Sequence, residues 1–123
     1  NFALETFGDK WTLLVIRDLM FKGKRYYGDF LSSDEKISTN ILADRLQKLE
    51  TNGVVSKLAD PENGSKYIYS LTDKGQALLP AMVEVTAWSA QFDSLTNTPD
   101  EFLKFYNADK NALIAMFKSK LEG

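Results

Sequence analysis

Hydrophobic residues in the first part of the chain recur with a helical period. Residues 11–21 are apolar on nearly every side, which predicts a helix at the centre of a domain with Arg17 and Asp18 on its wet side. Gly23 is placed to end this helix. A second, short helix is predicted over residues 26–31. These segments indicate a cluster of helices around an apolar core.

The next predicted helix has clear signals at both ends. Ser38 can cap its N-terminus, and Gly53 is a natural stop after its last turn. Ile37, just before the cap, is placed to pack against Leu42 as a hydrophobic staple. The leucines of its apolar stripe are Leu42, Leu46 and Leu49. The other faces of this helix are polar, with Arg45 at the border of the stripe.

After this helix the hydrophobic pattern becomes extended. Residues 54–58 and 66–71 are rich in β-forming side chains, and the polar residues 60–65 between them carry a turn signal. We therefore expect a two-stranded antiparallel hairpin with a polar tip.

Helical patterns return in the last third of the chain. Thr72 can cap a helix that runs toward Phe92, and Pro80 is expected to kink or split it near Leu79. Residues 98–101 have the cap, proline and acidic residue that are typical of another helix start. The predicted fold class is mainly α with a small β-hairpin.

The composition narrows the chemistry that these residues can support. They include no Cys and no His, which excludes disulfides, Cys or His metal ligands and His-based catalytic triads within them. We therefore expect a protein that is not an enzyme and has no cofactor and no metal site. An apolar run of about 18 residues and a signal-peptide pattern are both missing, so we expect a cytoplasmic protein without a membrane segment.

The formal net charge of −2 is unevenly distributed along the chain. Residues 10–75 hold eleven Lys or Arg against nine Asp or Glu, and residues 76–123 hold four against six. Neutralisation of nucleic-acid phosphates depends on basic side chains that share a face rather than on the total charge. The acidic total therefore does not exclude a nucleic-acid partner.

The predicted order of a helix, a short helix, a capped helix, a hairpin and a further helix is typical of a winged helix-turn-helix. In such a fold the capped helix enters the DNA major groove, and the hairpin, called the wing, can reach the neighbouring backbone or minor groove. Asn can read adenine, Arg can read guanine, and Ser or Thr can contact phosphates. The candidate DNA-binding residues are Arg25, Ser38, Thr39, Asn40, Asp44, Arg45, Lys48, Lys57, Asn63, Ser65 and Lys66.

These candidates also have plain structural interpretations. Ser38 can act only as a helix cap. Arg45 can pair with a neighbouring acid, Asp44 or Glu50, on the helix surface. The two wing lysines can be solvated residues that protect strand edges from aggregation. Both interpretations stay open for each of these side chains.

The last third of the chain carries more apolar surface than solvated helices need. This surplus indicates a dimer interface first, and a small-molecule pocket between subunits as the alternative. Two N-terminal side chains are expected to join it. The candidate interface residues are Leu4, Phe7, Val85, Trp88, Phe92, Phe102, Phe105 and Phe117.

Several short motifs become specific when they are taken together in order. They are Gly8-Asp9-Lys10-Trp11 before the apolar helix, Arg25-Tyr26-Tyr27-Gly28-Asp29-Phe30, Ile37-Ser38 with Leu42, Arg45-Leu46, Leu49-Glu50 and Gly53-Val54-Val55, and Tyr69-Ser70-Leu71-Thr72-Asp73-Lys74-Gly75 followed by Leu79-Pro80 and Trp88. Over residues 8–90 this set resembles the HxlR-type winged helix-turn-helix regulators, which are relatives of the MarR group. The resemblance implies a small bacterial regulator that is dimeric through its terminal helices.

The chain departs from the family pattern at two places. The family commonly has two basic residues before the aromatic residue of the second motif, whereas here Arg25 is followed directly by Tyr26. Redox-sensing members carry a Cys upstream of the first motif, and these residues contain no Cys. The resemblance therefore leaves the regulatory signal open.

Together, these patterns predict a single winged-helix domain over residues 1–123, with a DNA-binding core at 8–75 and a wing at about 54–71. Residues 1–7 and 76–123 are expected to be dimerisation elements. The expected function is that of a sequence-specific transcription regulator that binds an inverted-repeat operator in double-stranded DNA as a homodimer. The alternative is a winged-helix module that binds another protein without DNA. The operator, the sign of regulation and any small-molecule effector stay open.

Overall fold

The computed structural model describes residues 2–96 and 98–122. Its elements, in chain order, are α1 (Phe2–Phe7), α2 (Lys10–Phe21), α3 (Tyr27–Leu31), α4 (Thr39–Thr51), β1 (Val55–Asp60), β2 (Asn63–Leu71), α5 (Asp73–Gln76), α6 (Leu79–Phe92) and α7 (Asp100–Glu122). They form two units, one up to Gln76 that contains the hairpin and one from Ala77 onward that is helical. The predicted fold class, mainly α with a small β-hairpin, is confirmed.

Helix α2 is the central helix of the first unit, as its sequence predicts. Val15 and Ile16 on this helix are completely buried. The Asp9 carboxylate caps it by accepting a hydrogen bond from the backbone N–H of Thr12 at 3.2 Å. Gly23 lies just after its end with a φ of 66°, a left-handed conformation that favours glycine.

The prediction that Asp18 lies on the wet side of α2 is wrong, because its side chain is completely buried. Its Oδ1 accepts hydrogen bonds from Arg17 Nε at 3.0 Å and Nη2 at 2.8 Å, and its Oδ2 accepts one from Lys24 Nζ at 3.0 Å. A carboxylate can be buried at a tolerable cost only when it is paired in this way. Arg17 is partly exposed, and it also pairs with Glu35 at 2.5 Å.

Helix α4 has both of its predicted end signals. Ser38 is its N-cap, and its Oγ accepts a hydrogen bond from the backbone N–H of Ile41 at 3.2 Å. At the other end Gly53 has a φ of 75°, its N–H donates to the Glu50 carbonyl at 3.0 Å, and the next N–H donates to the Leu49 carbonyl at 2.9 Å. This pair of bonds is a Schellman motif. The predicted stripe of three leucines is buried.

The two strands pair antiparallel, with Val55 opposite Leu71 at the buried base of the hairpin. The predicted turn at residues 60–65 is wrong in its second half, because β2 already begins at Asn63, which pairs with Asp60 next to an irregular register. The physical reason is local. The Asn63 Oδ1 accepts hydrogen bonds from Ser65 N–H at 3.2 Å and Ser65 Oγ at 2.7 Å, which orders the residues after the turn.

The predicted split of the following helix at Pro80 is confirmed. Thr72 Oγ1 accepts a hydrogen bond from the Gly75 N–H at 3.1 Å and so caps the short helix α5. Helix α6 then starts at Leu79, with Pro80 in its first turn. A proline in the first turn has no helical N–H to lose, whereas farther along it would break the helix.

In the second unit, α6 packs on α7 through buried side chains that include Val83 and Leu113. Helix α7 is interrupted at Asp109, whose φ of −160° and ψ of 89° are not helical. The Asp109 Oδ1 accepts a hydrogen bond from the Ala112 N–H at 3.0 Å, so it caps the second half. Glu84 on α6 accepts hydrogen bonds from Tyr106 Oη and a residue beyond this break, Lys110.

Candidate nucleic-acid interface

Helices α3 and α4 lie together as the two helices of a helix-turn-helix. Phe30 of α3 is completely buried, and its ring meets that of Tyr69 on β2 edge to face, with centroids 6.3 Å apart. The Tyr27 hydroxyl donates a hydrogen bond to the backbone carbonyl of Thr39 at 2.8 Å. This bond attaches α3 to the first residue of α4 and fixes how the start of α4 is presented.

The outward face of α4 is polar and begins at its N-terminus. Because Leu42, Leu46 and Leu49 are buried, the side chains opposite them point away from the core. The predicted DNA-binding residues that the structure leaves exposed on this helix and at its cap are Ser38, Thr39, Asn40 and Lys48. Gln47 is exposed on the same face, seven residues after Asn40, and was missing from the predicted set although this spacing could have indicated it.

Arg45 is held by two carboxylates and is only 24% exposed at its side chain. Its Nε donates to Asp9 Oδ1 at 3.1 Å, and its Nη1 donates to Asp44 Oδ2 at 2.6 Å. The bond to Asp44 is one of the structural interpretations that the sequence left open, whereas the bond to Asp9 was not foreseen. Arg45 thus joins α4 to the cap of α2, and base reading by Arg45 stays a prediction.

The carboxylates around α4 are held in their charged forms. Burial opposes ionisation of Asp9, but hydrogen bonds from Thr12 and the ion pair with Arg45 outweigh it and lower its pKa from 3.8 to about 2. Hydrogen bonds from Lys48 and Arg45 likewise lower the pKa of Asp44. Asp44, predicted to face DNA, therefore lies between two basic side chains and offsets part of their charge.

A related carboxylate, Glu35, precedes α4. The hydrogen bond from Arg17 lowers its pKa from 4.5 to about 2 against the opposing effect of burial. Since Asp9 and Glu35 have lower pKa values in the folded protein than in the unfolded chain, the stability they contribute is present above 3.8 and 4.5 and is lost as the pH falls toward about 2.

We expect the urea midpoint of unfolding to fall over this acid range and to fall less in the variant Asp9→Asn/Glu35→Gln, which has no such carboxylates to protonate. Circular dichroism in a urea series at each pH measures it. Asp34→Asn, a change at an exposed acid in the same region, is the control and should follow the unmodified protein. Parallel curves for the double variant and the unmodified protein would contradict this assignment.

The wing brings together the four candidates that lie on the hairpin. They are Lys57, Asn63, Ser65 and Lys66, and all are exposed. The ammonium group of Lys57 is 4.3 Å from the ring centroid of Tyr67, and that of Lys66 is 5.5 Å from the ring centroid of Tyr26. Both lysines are therefore positioned by aromatic rings.

Arg25 lies where the chain approaches α3. Its backbone carbonyl accepts a hydrogen bond from the Tyr69 N–H of β2 at 2.8 Å. Its guanidinium donates to the neighbouring carbonyl of Lys24 at 3.4 Å. The structure thus places Arg25 beside the wing rather than on the outward face of α4.

A cleft of about 460 Å³ lies between α3 and β2. Its lining residues are Tyr26, Tyr27, Gly28, Asp29, Ser65, Lys66, Tyr67 and Tyr69. Two of these are wing candidates for DNA contact. The predicted alternative of an apolar pocket between subunits is a different site, because this cleft lies within the first unit.

The predicted interface residues have two kinds of surroundings. Leu4 is 71% exposed, and on α6 Val85, Trp88 and Phe92 are 54%, 66% and 73% exposed. The other four, Phe7, Phe102, Phe105 and Phe117, are half-buried. Phe102 and Phe117 contribute to the packing of their own unit, since their ring centroids are 6.1 Å apart. Leu95, which is 86% exposed, was missing from the predicted set.

A helix-turn-helix with an adjacent two-stranded wing and an exposed polar face on its second helix defines the winged-helix class of DNA-binding proteins. The model of the HxlR-like helix-turn-helix family matches residues 6–97. The chain belongs to this family, as its motifs predict, and has the helix-turn-helix DNA-binding fold of a transcriptional regulator.

Individual proteins agree with this assignment. The chain is 38% identical over 90 residues to the HTH-type transcriptional regulator YodB of Bacillus subtilis strain 168, which covers 73% of this chain and 80% of YodB. The structure of reduced YodB from B. subtilis superposes with a TM-score of 0.60 at 34% identity, over 77% of this chain and 92% of that one. The redox regulator HypR in its oxidised form superposes with a TM-score of 0.68 at 26% identity, over 76% and 96%.

Two searches bear on other site types. None of the helices in the described residues is both long and apolar enough to cross a bilayer. Within those same residues, no group of three or more acidic side chains is arranged to hold a metal ion.

Proposed function

We propose that this chain regulates transcription as a homodimer that binds an inverted-repeat operator, with one α4 helix in the major groove of each half-site. The observation that carries the proposal is the exposed polar first turn of α4, which is supported from behind by buried leucines. The two half-sites of such an operator lie about 34–36 Å apart, one helical turn, or a multiple of that. As a member of a family of transcriptional regulators, the chain has no enzymatic activity in this proposal.

The individual contacts follow from the chemistry at each position. Asn40 can donate to and accept from the edge of an adenine, while Ser38 and Thr39 can reach phosphates. Lys48, with a side chain that is 67% exposed, supplies charge near the end of the same face. The wing lysines, Asn63 and Ser65 would contact the flanking backbone, and Arg25 would contact it beside the wing.

The apolar stripe on α6 supports the homodimer. Val85, Trp88 and Phe92 recur at spacings of three and four residues and are more than half exposed. An apolar patch of this kind on a small protein is typical of an interface, and most closed homo-oligomers are twofold dimers. In this proposal Leu4, Phe7 and the half-buried phenylalanines lie at or under the same interface.

The deciding experiment is selection of bound duplexes from a random DNA pool at two salt concentrations. Enrichment of an inverted repeat, with binding that weakens as salt rises, is the expected result because phosphate contacts release counterions. Enrichment of a sequence without twofold symmetry would refute the homodimer part of the proposal. An absence of enrichment at both salt concentrations would refute DNA binding.

Replacing Asn40 with Ala is expected to weaken binding of the selected operator by about 1–3 kcal/mol, with the loss confined to one base position. Replacing Lys48 with Ala should instead weaken binding of all duplexes and lower the salt slope by about 1. Fluorescence anisotropy with single-base operator variants separates the two. Thr51→Ala, at the far end of α4, is the control. A uniform loss in Asn40→Ala would contradict base reading by Asn40.

Replacing Trp88 with Glu is expected to raise the dissociation constant of the dimer by about tenfold or more, since it puts a charge into the proposed apolar interface. Analytical ultracentrifugation over a concentration series measures it. Asn111→Glu adds the same charge at an exposed position of α7 and should leave self-association unchanged. Equal dissociation constants for the two variants would exclude this stripe as the interface.

The second candidate function is a winged-helix module that binds another protein. The net charge of −2 favours it, since DNA-binding domains commonly carry a positive excess. Binding of a protein partner that is insensitive to salt, together with no selected duplex, would support it. Because these residues contain no Cys, a thiol switch does not lie within them, and an effector, if one exists, acts by another chemistry.

A further inference from the structure

Tyr26 joins the start of α3 to the turn of the wing. Its hydroxyl donates a hydrogen bond to Asp60 Oδ2 at 2.8 Å, across 34 residues of chain. The other carboxylate oxygen, Oδ1, accepts a hydrogen bond from the backbone N–H of Glu62 at 2.9 Å and so closes the turn. One carboxylate thus holds the hairpin tip together and connects it to the helix-turn-helix.

The wing needs such a connection near its tip. An isolated two-stranded hairpin is at best marginally stable in water, and here the buried pair Val55 and Leu71 lies at its base. Residues 61–67 are all exposed, whereas Asp60 beside them is only 8% exposed. The contact with Tyr26 is therefore what fixes the outer part of the hairpin, with the Lys66 ammonium on the Tyr26 ring as a second contact.

Neighbouring tyrosines hold the two proposed DNA-contacting elements. Tyr26 bonds to the wing through Asp60, and Tyr27 bonds to the first residue of α4 through the Thr39 carbonyl. Consecutive residues of one short helix start therefore set the distance between the wing tip and the start of α4. A buried acid also suits this place better than an exposed one, which would repel DNA phosphates.

We propose that Tyr26 and Asp60 form a latch that positions the wing tip relative to α4 and so determines how strongly the protein depends on base pairs flanking the α4 site. They are positioning residues and need not touch DNA. The proposal rests on the proposed contact between the wing and DNA, because the latch acts through Asn63, Ser65 and Lys66.

The test compares Tyr26→Phe, which removes only the hydroxyl, with Tyr106→Phe. The latter removes a hydroxyl that bonds to Glu84 at 2.8 Å in the second unit and is the matched control. Affinity is measured for the selected operator and for a shortened duplex without the flanking base pairs. We expect Tyr26→Phe to lose about tenfold on the long duplex and nothing on the short one. Tyr106→Phe should change neither affinity.

A second measurement needs no DNA. Amide hydrogen exchange of residues 61–67 in the free protein should be several-fold faster in Tyr26→Phe than in Tyr106→Phe, because the tip loses its anchor. Asp60→Asn keeps an acceptor and should retain more protection than Asp60→Ala. Combining Tyr26→Phe with Asp60→Ala should add nothing to Asp60→Ala alone.

Two results would overturn the latch. One is unchanged exchange of the wing amides in Tyr26→Phe, which refutes the latch whether or not DNA binds. The other is an equal loss of affinity on both duplexes, which would make Tyr26 a general structural residue. If wing exchange responds as expected but the unmodified protein binds long and short duplexes equally, the proposed wing contact with DNA fails while the tether itself stands.

Discussion

Replacing Asp18 with Ala is expected to lower the free energy of unfolding by about 3–5 kcal/mol, a large part of the stability of a small domain. The carboxylate is completely buried and accepts hydrogen bonds from Arg17 and Lys24 at 2.8–3.0 Å. Removing it leaves the Lys24 ammonium, whose side chain is only 16% exposed, without its buried counter-charge. The cost of such an uncompensated charge exceeds the net value of the original pair.

The control for this prediction is Glu35→Gln. Glu35 is the other partner of Arg17, but its side chain is 31% exposed. Water screens a pair of this kind, so we expect a loss of no more than about 1 kcal/mol. Urea unfolding followed by circular dichroism gives both values. If Asp18→Ala does not fold, Asp18→Asn and Lys24→Gln probe the same pair, and losses as small as that of Glu35→Gln would show that the buried network contributes little.

The Asp18 network also connects the elements around the helix-turn-helix. Asp18 lies on α2, Lys24 lies in the segment that leads to Arg25 and α3, and Arg17 reaches the loop before α4 through Glu35. Helix α4 has a further support in the ion pair between Arg45 and Asp9. In our proposal these side chains contribute to DNA binding by holding α4 in place, while its exposed first turn makes the contacts.

Local signals made most of the fold predictable from sequence. The boundaries of α4 follow from a serine cap and a glycine stop, and the split before α6 follows from Pro80, because each depends on residues within a few positions. The start of β2 was misjudged because the bond between Asn63 and Ser65 turns a nominal loop into ordered backbone. That bond is local too, but the same dipeptide pattern is also typical of an open turn.

The candidate site was less predictable, because its side chains are paired over long distances in the chain. Arg45 and Asp9 are 36 residues apart, and Tyr26 and Asp60 are 34 apart. Helical spacing indicates which face Arg45 occupies, but not that an acid from another helix cap is waiting there. For the same reason Asp18, polar and next to Arg17, was expected on the surface, although the folded chain supplies two cations to bury it.

Replacing Gly75 with Ala is expected to destabilise the first unit by about 3 kcal/mol or more. A Cβ at this position would overlap the backbone carbonyl oxygen of Val54 and come within 2.9 Å of Leu71 Cδ2. Val54 is buried, and its carbonyl accepts hydrogen bonds from the Thr72 N–H at 3.0 Å and Oγ1 at 3.1 Å, so it cannot move away without loss. Overpacking against fixed backbone costs more than overpacking against a flexible side chain.

Gly28→Ala is the matched control, since Gly28 also lies in a short helix but has nothing within 4 Å of the added Cβ. There the substitution should stabilise by about 0.5–1 kcal/mol, because alanine favours a helix over glycine. Urea midpoints of the two variants therefore move in opposite directions. The close packing of α5 at the base of the wing makes glycine necessary at position 75, and a Gly75→Ala midpoint equal to that of the unmodified protein would show that this contact relaxes freely.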